Sequence, residues 1–166
     1  MSTTGPDPAA KAGLGERGPR GLNRLGGAVV LDTNIVLDLW VFDDPAQQPL
    51  LALLEAGAMC WLVTAAMREE LARVLHYPHI VRRLQARRLD AQAVLTRFDR
   101  LCHLLPDAPR APYACKDADD QKFIDLAVQH GAALRSKDAQ VLCMKNRLAR
   151  CKVALNPPLQ AGDSAA

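Results

Sequence analysis

Residues 28–31, Ala-Val-Val-Leu, form an unbroken apolar run that ends in Asp32-Thr33-Asn34. A continuous run of this length, half of it β-branched, predicts a strand buried on both faces, as in a parallel sheet covered by helices. In open α/β sheets, ligands bind outside the carboxyl ends of the strands. Asp32 therefore falls where such a fold performs its chemistry. An aspartate there can also cap the following helix, so a functional reading requires other side chains to arrive at the same edge.

The rest of the chain alternates in the manner this strand requires. A helix is expected over 34–40, closing near Asp43-Asp44-Pro45, because the residue before proline is biased away from helix. A second helix over 49–56 stops at Gly57. A strand follows over 58–64, then a helix over 66–76 that ends before Pro78. Residues 79–100 read as helical and basic. Leu101 to Leu105 read as a third strand closed by Pro106. A loop with Pro109 and Pro112 leads to Asp117-Ala118-Asp119-Asp120 and a helix running to Gly131. A short strand over 132–135, a helix over 140–150 and an edge strand over 152–155 complete the pattern. Strands alternating with helices predict a three-layer α/β/α sandwich with a mainly parallel central sheet.

The 166 residues suit one domain with tails, and 49% of them are apolar, enough for one sizeable core. Residues 1–27 contain seven of the ten glycines and Pro6, Pro8 and Pro19, so an N-terminal disordered tail is expected there. The domain is placed at 28–158 and a C-terminal tail at 159–166. A net charge of +3 neither demands nor excludes a polyanionic partner. Cys60, Cys102, Cys115, Cys143 and Cys151 form no C-x-x-C pair, which favours reduced thiols in a cytoplasmic protein over a disulfide frame or zinc site. No apolar run approaches membrane-spanning length, so no membrane association is expected.

In a parallel α/β sheet, each helix begins at the carboxyl edge of the strand before it, and sequence position becomes spatial position. Asp32 ends the first strand and Asp138 follows the fourth. Asp120 lies in the first turn or two of the helix after the third, and Glu70 lies about a turn into the helix after the second. Helical periodicity separates Glu70 from its neighbour: Met67, Leu71, Val74 and Leu75 mark the apolar face, Glu70 borders it and Glu69 points away, with Arg73 four residues on as a surface partner. Asp120 shares a face with Ile124 and Ala127. Asp117 and Asp119 suit the helix start, with Asp119 close enough to assist.

Singly, each acid reads as a cap or a boundary residue. Together they make a cluster whose members raise one another's proton affinity unless a cation neutralises them. Hard divalent cations prefer such oxygen ligands, and Mg²⁺ typically binds carboxylates plus phosphate while keeping several waters. Such a metal can polarise a phosphodiester and activate a water. His76, His79, His103 and His130 lie off these junctions. In the basic segment, Arg82, Arg83, Arg87 and Arg88 are candidates for contact with a nucleic-acid backbone, although a charge run is commonly just a solvated face.

The ordered set V-V-L-D-T-N (29–34), E-E-L-A-R-V-L (69–75), K-D-A-D-D-Q-K-F-I-D-L-A (116–127) and S-K-D (136–138) resembles the PIN-domain family, and within it the bacterial toxin components of toxin–antitoxin systems. The resemblance spans residues 28–158. It implies metal-binding acids at Asp32, Glu70, Asp120 and Asp138, with Asn34 and Ser136 in supporting polar positions. Where the group often has Asp-Pro-Asp-Asp, this chain has Asp117-Ala118-Asp119-Asp120. It further implies a Mg²⁺- or Mn²⁺-dependent endoribonuclease acting on RNA, often as a homodimer with a cognate antitoxin. The rival readings are a non-catalytic PIN-like module that binds RNA or protein, and another metal-dependent phosphohydrolase. The absence of an Asp-x-Asp pair after the first strand disfavours the last.

Overall fold

The computed structural model describes residues 27–160. The expected N-terminal tail lies outside the described residues apart from Gly27, as do residues 161–166 of the C-terminal tail.

Strand β1 (Ala28–Leu31) is followed by helix α1 (Thr33–Trp40), a 3-10 turn at Pro45–Gln47, α2 (Gln48–Glu55) and β2 (Cys60–Val63). Three helices follow: α3 (Ala65–Val74), α4 (Pro78–Ala86) and α5 (Ala91–Leu101). Next come β3 (Cys102–Leu104), a 3-10 turn at Ala118–Asp120, α6 (Gln121–His130), β4 (Ala133–Arg135), α7 (Ala139–Leu142) and α8 (Lys145–Arg150). The sheet is parallel throughout, with strand order β3-β2-β1-β4.

The chain steps outward from β1 through β2 to β3, then crosses back to place β4 on the far side of β1. Right-handed crossovers in these opposite directions put helices on opposite faces of the sheet, giving the three-layer α/β/α architecture. Strand β2 is buried along its whole length and β1 from Val29 onward, as a doubly covered sheet demands. In register, Val29 pairs with both Trp61 and Ala133, and Leu31 pairs with Arg135. The core is mostly aliphatic, and its aromatic cluster centres on Trp61, which meets Phe98 edge-on at 4.8 Å and Trp40 at 6.1 Å.

The basic segment expected as one helix is two. Asp90 caps α5 by accepting a 2.7 Å bond from the Ala93 N–H, and Arg88 adopts a left-handed φ of 56° at the break. The helix expected over 140–150 is likewise divided into α7 and α8, with the buried Met144 at the break. The expected edge strand over 152–155 is reduced to a single parallel bridge between Leu134 and Leu155. Asn156 turns the chain with a φ of 48°, and Pro157-Pro158 then offer no N–H to extend the ladder. At the end of α6, Gly131 supplies the left-handed C-cap (φ 58°) that its lack of a Cβ makes cheap. Among the described residues, no helix is long and apolar enough to cross a membrane.

Candidate active site

Asp32 stands at the end of the central strand, 4% exposed, in extended conformation before α1. Its Oδ2 accepts a 2.7 Å hydrogen bond from the Ser136 hydroxyl, which is itself buried. The same Ser136 Oγ accepts the backbone N–H of Asp138 at 3.1 Å. One hydroxyl thus fastens the end of β1 to the loop after β4. That loop is further pinned by Asn156, whose side chain accepts the Ser136 N–H at 3.0 Å and donates to the Ser136 carbonyl at 2.8 Å. Burial raises the Asp32 pKa. The Ser136 bond and the nearby Asn34 N–H oppose this, while the charges of Asp138 and Glu70 add to it.

Glu70 reaches the edge from α3, whose start is fixed by Thr64 accepting the Met67 N–H at 3.4 Å. Glu69 is exposed and Glu70 half-buried, as periodicity expects, although the surface pair of Glu69 with Arg73 is absent among the described residues. The Thr33 hydroxyl donates to Glu70 Oε1 at 2.8 Å, and the Lys122 ammonium pairs with Glu70 Oε2.

Asp120 comes from the 3-10 turn leading into α6. Asp117 caps that turn by accepting the Asp119 N–H at 2.9 Å, and Asp119 is exposed. Burial pushes the Asp120 carboxyl up to about 7, helped by the charges of Asp32, Asp138, Asp117 and Glu70. Its Oδ2 is buried and has no hydrogen-bond partner among the described residues. Asp138 caps α7 through its Oδ1, which accepts the Gln140 N–H at 2.7 Å. Asp32, Glu70, Asp120 and Asp138 are therefore near enough for their charges to act on one another at one sheet edge. They do not form a tight cage: no group of three or more His, Cys, Asp or Glu side chains among the described residues is arranged for a metal. Mutual repulsion between uncompensated carboxylates favours such a spread. Mg²⁺ needs only one or two direct carboxylates beside its waters, so the oxygen-only donor set and the unpartnered Asp120 oxygen fit a hard divalent cation.

The supporting residues differ in kind. Ser136 acts through its side chain. The Asn34 side chain is exposed and its backbone N–H is what lies by Asp32. Of the four arginines expected to contact nucleic acid, Arg87 is engaged away from the acids. Arg87 donates to the Trp40 carbonyl at 3.1 Å and to Asp43 Oδ2 at 3.1 Å, so it closes the carboxyl end of α1, a helix length away from Asp32. The Arg83 guanidinium sits 5.9 Å from the Phe42 ring centroid. Arg82, Arg83 and Arg88 are exposed.

Several polar residues at or near this edge were not expected from the sequence. Thr33 and Lys122 hold Glu70. Asp38, buried in α1, pairs with Lys137. Gln121, also buried, accepts the Cys115 N–H at 2.7 Å and donates to the Tyr113 carbonyl at 3.2 Å and to Asp125 Oδ1 at 2.7 Å. Asp125 Oδ1 in turn accepts the Ala111 N–H at 2.8 Å. Two side chains of α6 thereby hold the loop that delivers Asp117 and Asp120. The Gln121–Asp125 spacing, four residues apart on a helix, was a visible signal.

Among solved structures, the chain is similar to VapBC2 from Rickettsia felis, determined bound to a DNA fragment from their promoter. The TM-score is 0.53 at 12% identity, over 77% of this chain and 96% of the matched one. None of the curated proteins matches the sequence. Residues 28–134, the span from β1 to the middle of β4, match the family model described as the PIN domain. With the parallel sheet in order β3-β2-β1-β4 and the acids at the carboxyl edge, that match shows that the chain belongs to the PIN-domain family.

Proposed function

We propose that this protein is a divalent-metal-dependent endoribonuclease that hydrolyses RNA phosphodiester bonds and serves as the toxin of a toxin–antitoxin pair. The observation that carries the reading is the convergence of Asp32, Glu70, Asp120 and Asp138 from four separate strand–helix junctions, close enough for three of them to raise the pKa of Asp120. Family membership agrees with it, and so does the likeness to a chain of the VapBC2 complex.

Asp32, Glu70, Asp120 and Asp138 would hold Mg²⁺ or Mn²⁺, which when bound polarises the scissile phosphate and acidifies an attacking water. The protein's own residues prepare the site for this. Ser136 fixes the Asp32 carboxylate, and its second bond sets the position of Asp138. Thr33 orients Glu70. The Gln121–Asp125 pair keeps the preceding loop from swinging Asp120 away from the edge. Asp119, exposed beside Asp120, assists by its charge. Arg82 in α4 and Arg88 just beyond it are exposed cations without a partner among the described residues and would contact the RNA backbone. A cytoplasmic location, a homodimer and an antitoxin partner complete the reading.

The test is cleavage of a labelled mixed-sequence RNA with Mg²⁺, with Mn²⁺ and with EDTA, beside Asp32→Asn. Metal-dependent cleavage abolished by Asp32→Asn, in a variant that keeps its circular dichroism spectrum, is the expected result. Undiminished cleavage by that variant would overturn the mechanism. RNA binding indifferent to EDTA, without cleavage, would replace it with the non-catalytic binding module.

A further inference from the structure

Among the described residues, the acid cluster holds a resident cation, Lys122. The Lys122 side chain is only 24% exposed although it stands near the start of α6, and its ammonium is paired with Glu70 Oε2. The same ammonium donates to the Asp119 carbonyl and lies 4.9 Å from the Phe123 ring centroid. Three features of the protein therefore hold it over the site. The other Glu70 oxygen is taken by Thr33. Each oxygen of this carboxylate is thus already engaged within the protein, in contrast to Asp120, whose buried Oδ2 is unpartnered.

We propose that Lys122 is a tethered counter-ion of the acid cluster, which occupies Glu70 in the metal-free protein and competes with a divalent cation for it. The proposal rests on the metal-dependent reading above. A positive charge held against the cluster stabilises the metal-free fold by offsetting repulsion among the carboxylates. It also sets the concentration of divalent cation needed to load the site. When a cation displaces it, the ammonium keeps the Asp119 carbonyl as acceptor, so Lys122 withdraws without being left unpaired.

Titration of the purified full chain with Mn²⁺, followed by calorimetry, tests this on wild type, Lys122→Met, Glu70→Gln and the double variant. Methionine retains most of the apolar stem and removes the charge. Lys122→Met is expected to bind Mn²⁺ at least about tenfold more tightly, the scale of removing a unit charge roughly 6 Å from a divalent ion under full water screening. In EDTA the same variant is expected to melt below wild type, and saturating Mn²⁺ is expected to abolish that difference. In the Glu70→Gln background, Lys122→Met should change Mn²⁺ affinity far less, because the contested oxygen has lost its charge.

Equal Mn²⁺ affinity in wild type and Lys122→Met would overturn the proposal and leave the metal-dependent reading standing. An equal gain in both backgrounds would also overturn it, as it would reduce Lys122 to a distant charge. No Mn²⁺ binding by either protein would overturn both. Binding by Lys122→Met alone would support the proposal in its strongest form.

Discussion

Replacing Asp120 by asparagine is expected to stabilise the metal-free protein at neutral and alkaline pH. The Asp120 carboxyl is held up to about 7 by burial and by four neighbouring acids. The unfolded chain titrates this group near the ordinary aspartate value of about 4. The folded state therefore binds more protons than the unfolded state across that interval, and stability falls as pH rises through it. The relative stability is fully present below about pH 4 and fully lost above about pH 7. Fully shielded, the difference from about 4 to about 7 is worth ~4 kcal/mol. Asp120 is only partly buried, and solvent screening reduces this to about 2 kcal/mol. For a domain of this size that corresponds to about 4–8 °C in Tm. Asparagine preserves shape and loses the charge. Thermal denaturation of wild type and Asp120→Asn in EDTA, at pH 5 and pH 8, should show the variant melting higher, with the gap widening toward pH 8. In saturating Mn²⁺ the order should reverse, because the variant has lost an oxygen ligand. A variant that melts at or below wild type in EDTA at pH 8 would refute the electrostatic reasoning.

Ser136→Ala removes a charge-assisted bond to a buried carboxylate and the acceptor of the Asp138 N–H; a loss of about 2–3 kcal/mol is expected by chemical denaturation. The same variant should cut RNA more slowly through a misplaced Asp32, and full activity with unchanged stability would count against its fastening role. Arg87→Ala should destabilise by about 1 kcal/mol, because it uncovers the carboxyl end of α1, and should leave RNA affinity unchanged. Arg82→Ala with Arg88→Ala should instead lower RNA affinity uniformly across sequences and flatten its dependence on salt, by about 0.7 in logarithmic slope for each single-strand phosphate no longer neutralised. A filter-binding series from low to moderate salt separates the two outcomes.

The features legible in the sequence were those with a local period. The V-V-L-D run announced a buried strand and the position of its terminal acid, and the 3.6-residue period distinguished Glu70 from Glu69. The parallel α/β class followed from alternation alone. What escaped were partner choices made across the fold. Thr33 finds Glu70 from 37 positions away, and nothing local to α1 or α3 encodes that meeting. Lys122 carries no signal of its own in the sequence, because its pairing depends on how α3 and α6 meet at the sheet edge. The arginines of 82–88 were grouped by sequence proximity, yet Arg87 turns back on the end of α1 while Arg82 and Arg88 face solvent. The two-helix form of 79–100 was concealed by an Arg in left-handed conformation, a position where glycine would have been the visible signal.

The bond between Ser136 and Asp32 joins residues 104 positions apart. Strand β4 can dock only beside β1, so the edge is completed by nearly the last part of the domain to be synthesised. A nascent chain that has emerged only through β3 carries Asp32 and Glu70 but neither Asp138 nor the hydroxyl that fixes Asp32. Pairings of such sequence separation also form slowly. For the nuclease proposed above, the order of synthesis therefore acts as a safety catch. On that proposal, a chain that ends before Ser136 lacks Asp138 and the hydroxyl that fixes Asp32, and is expected not to cut RNA.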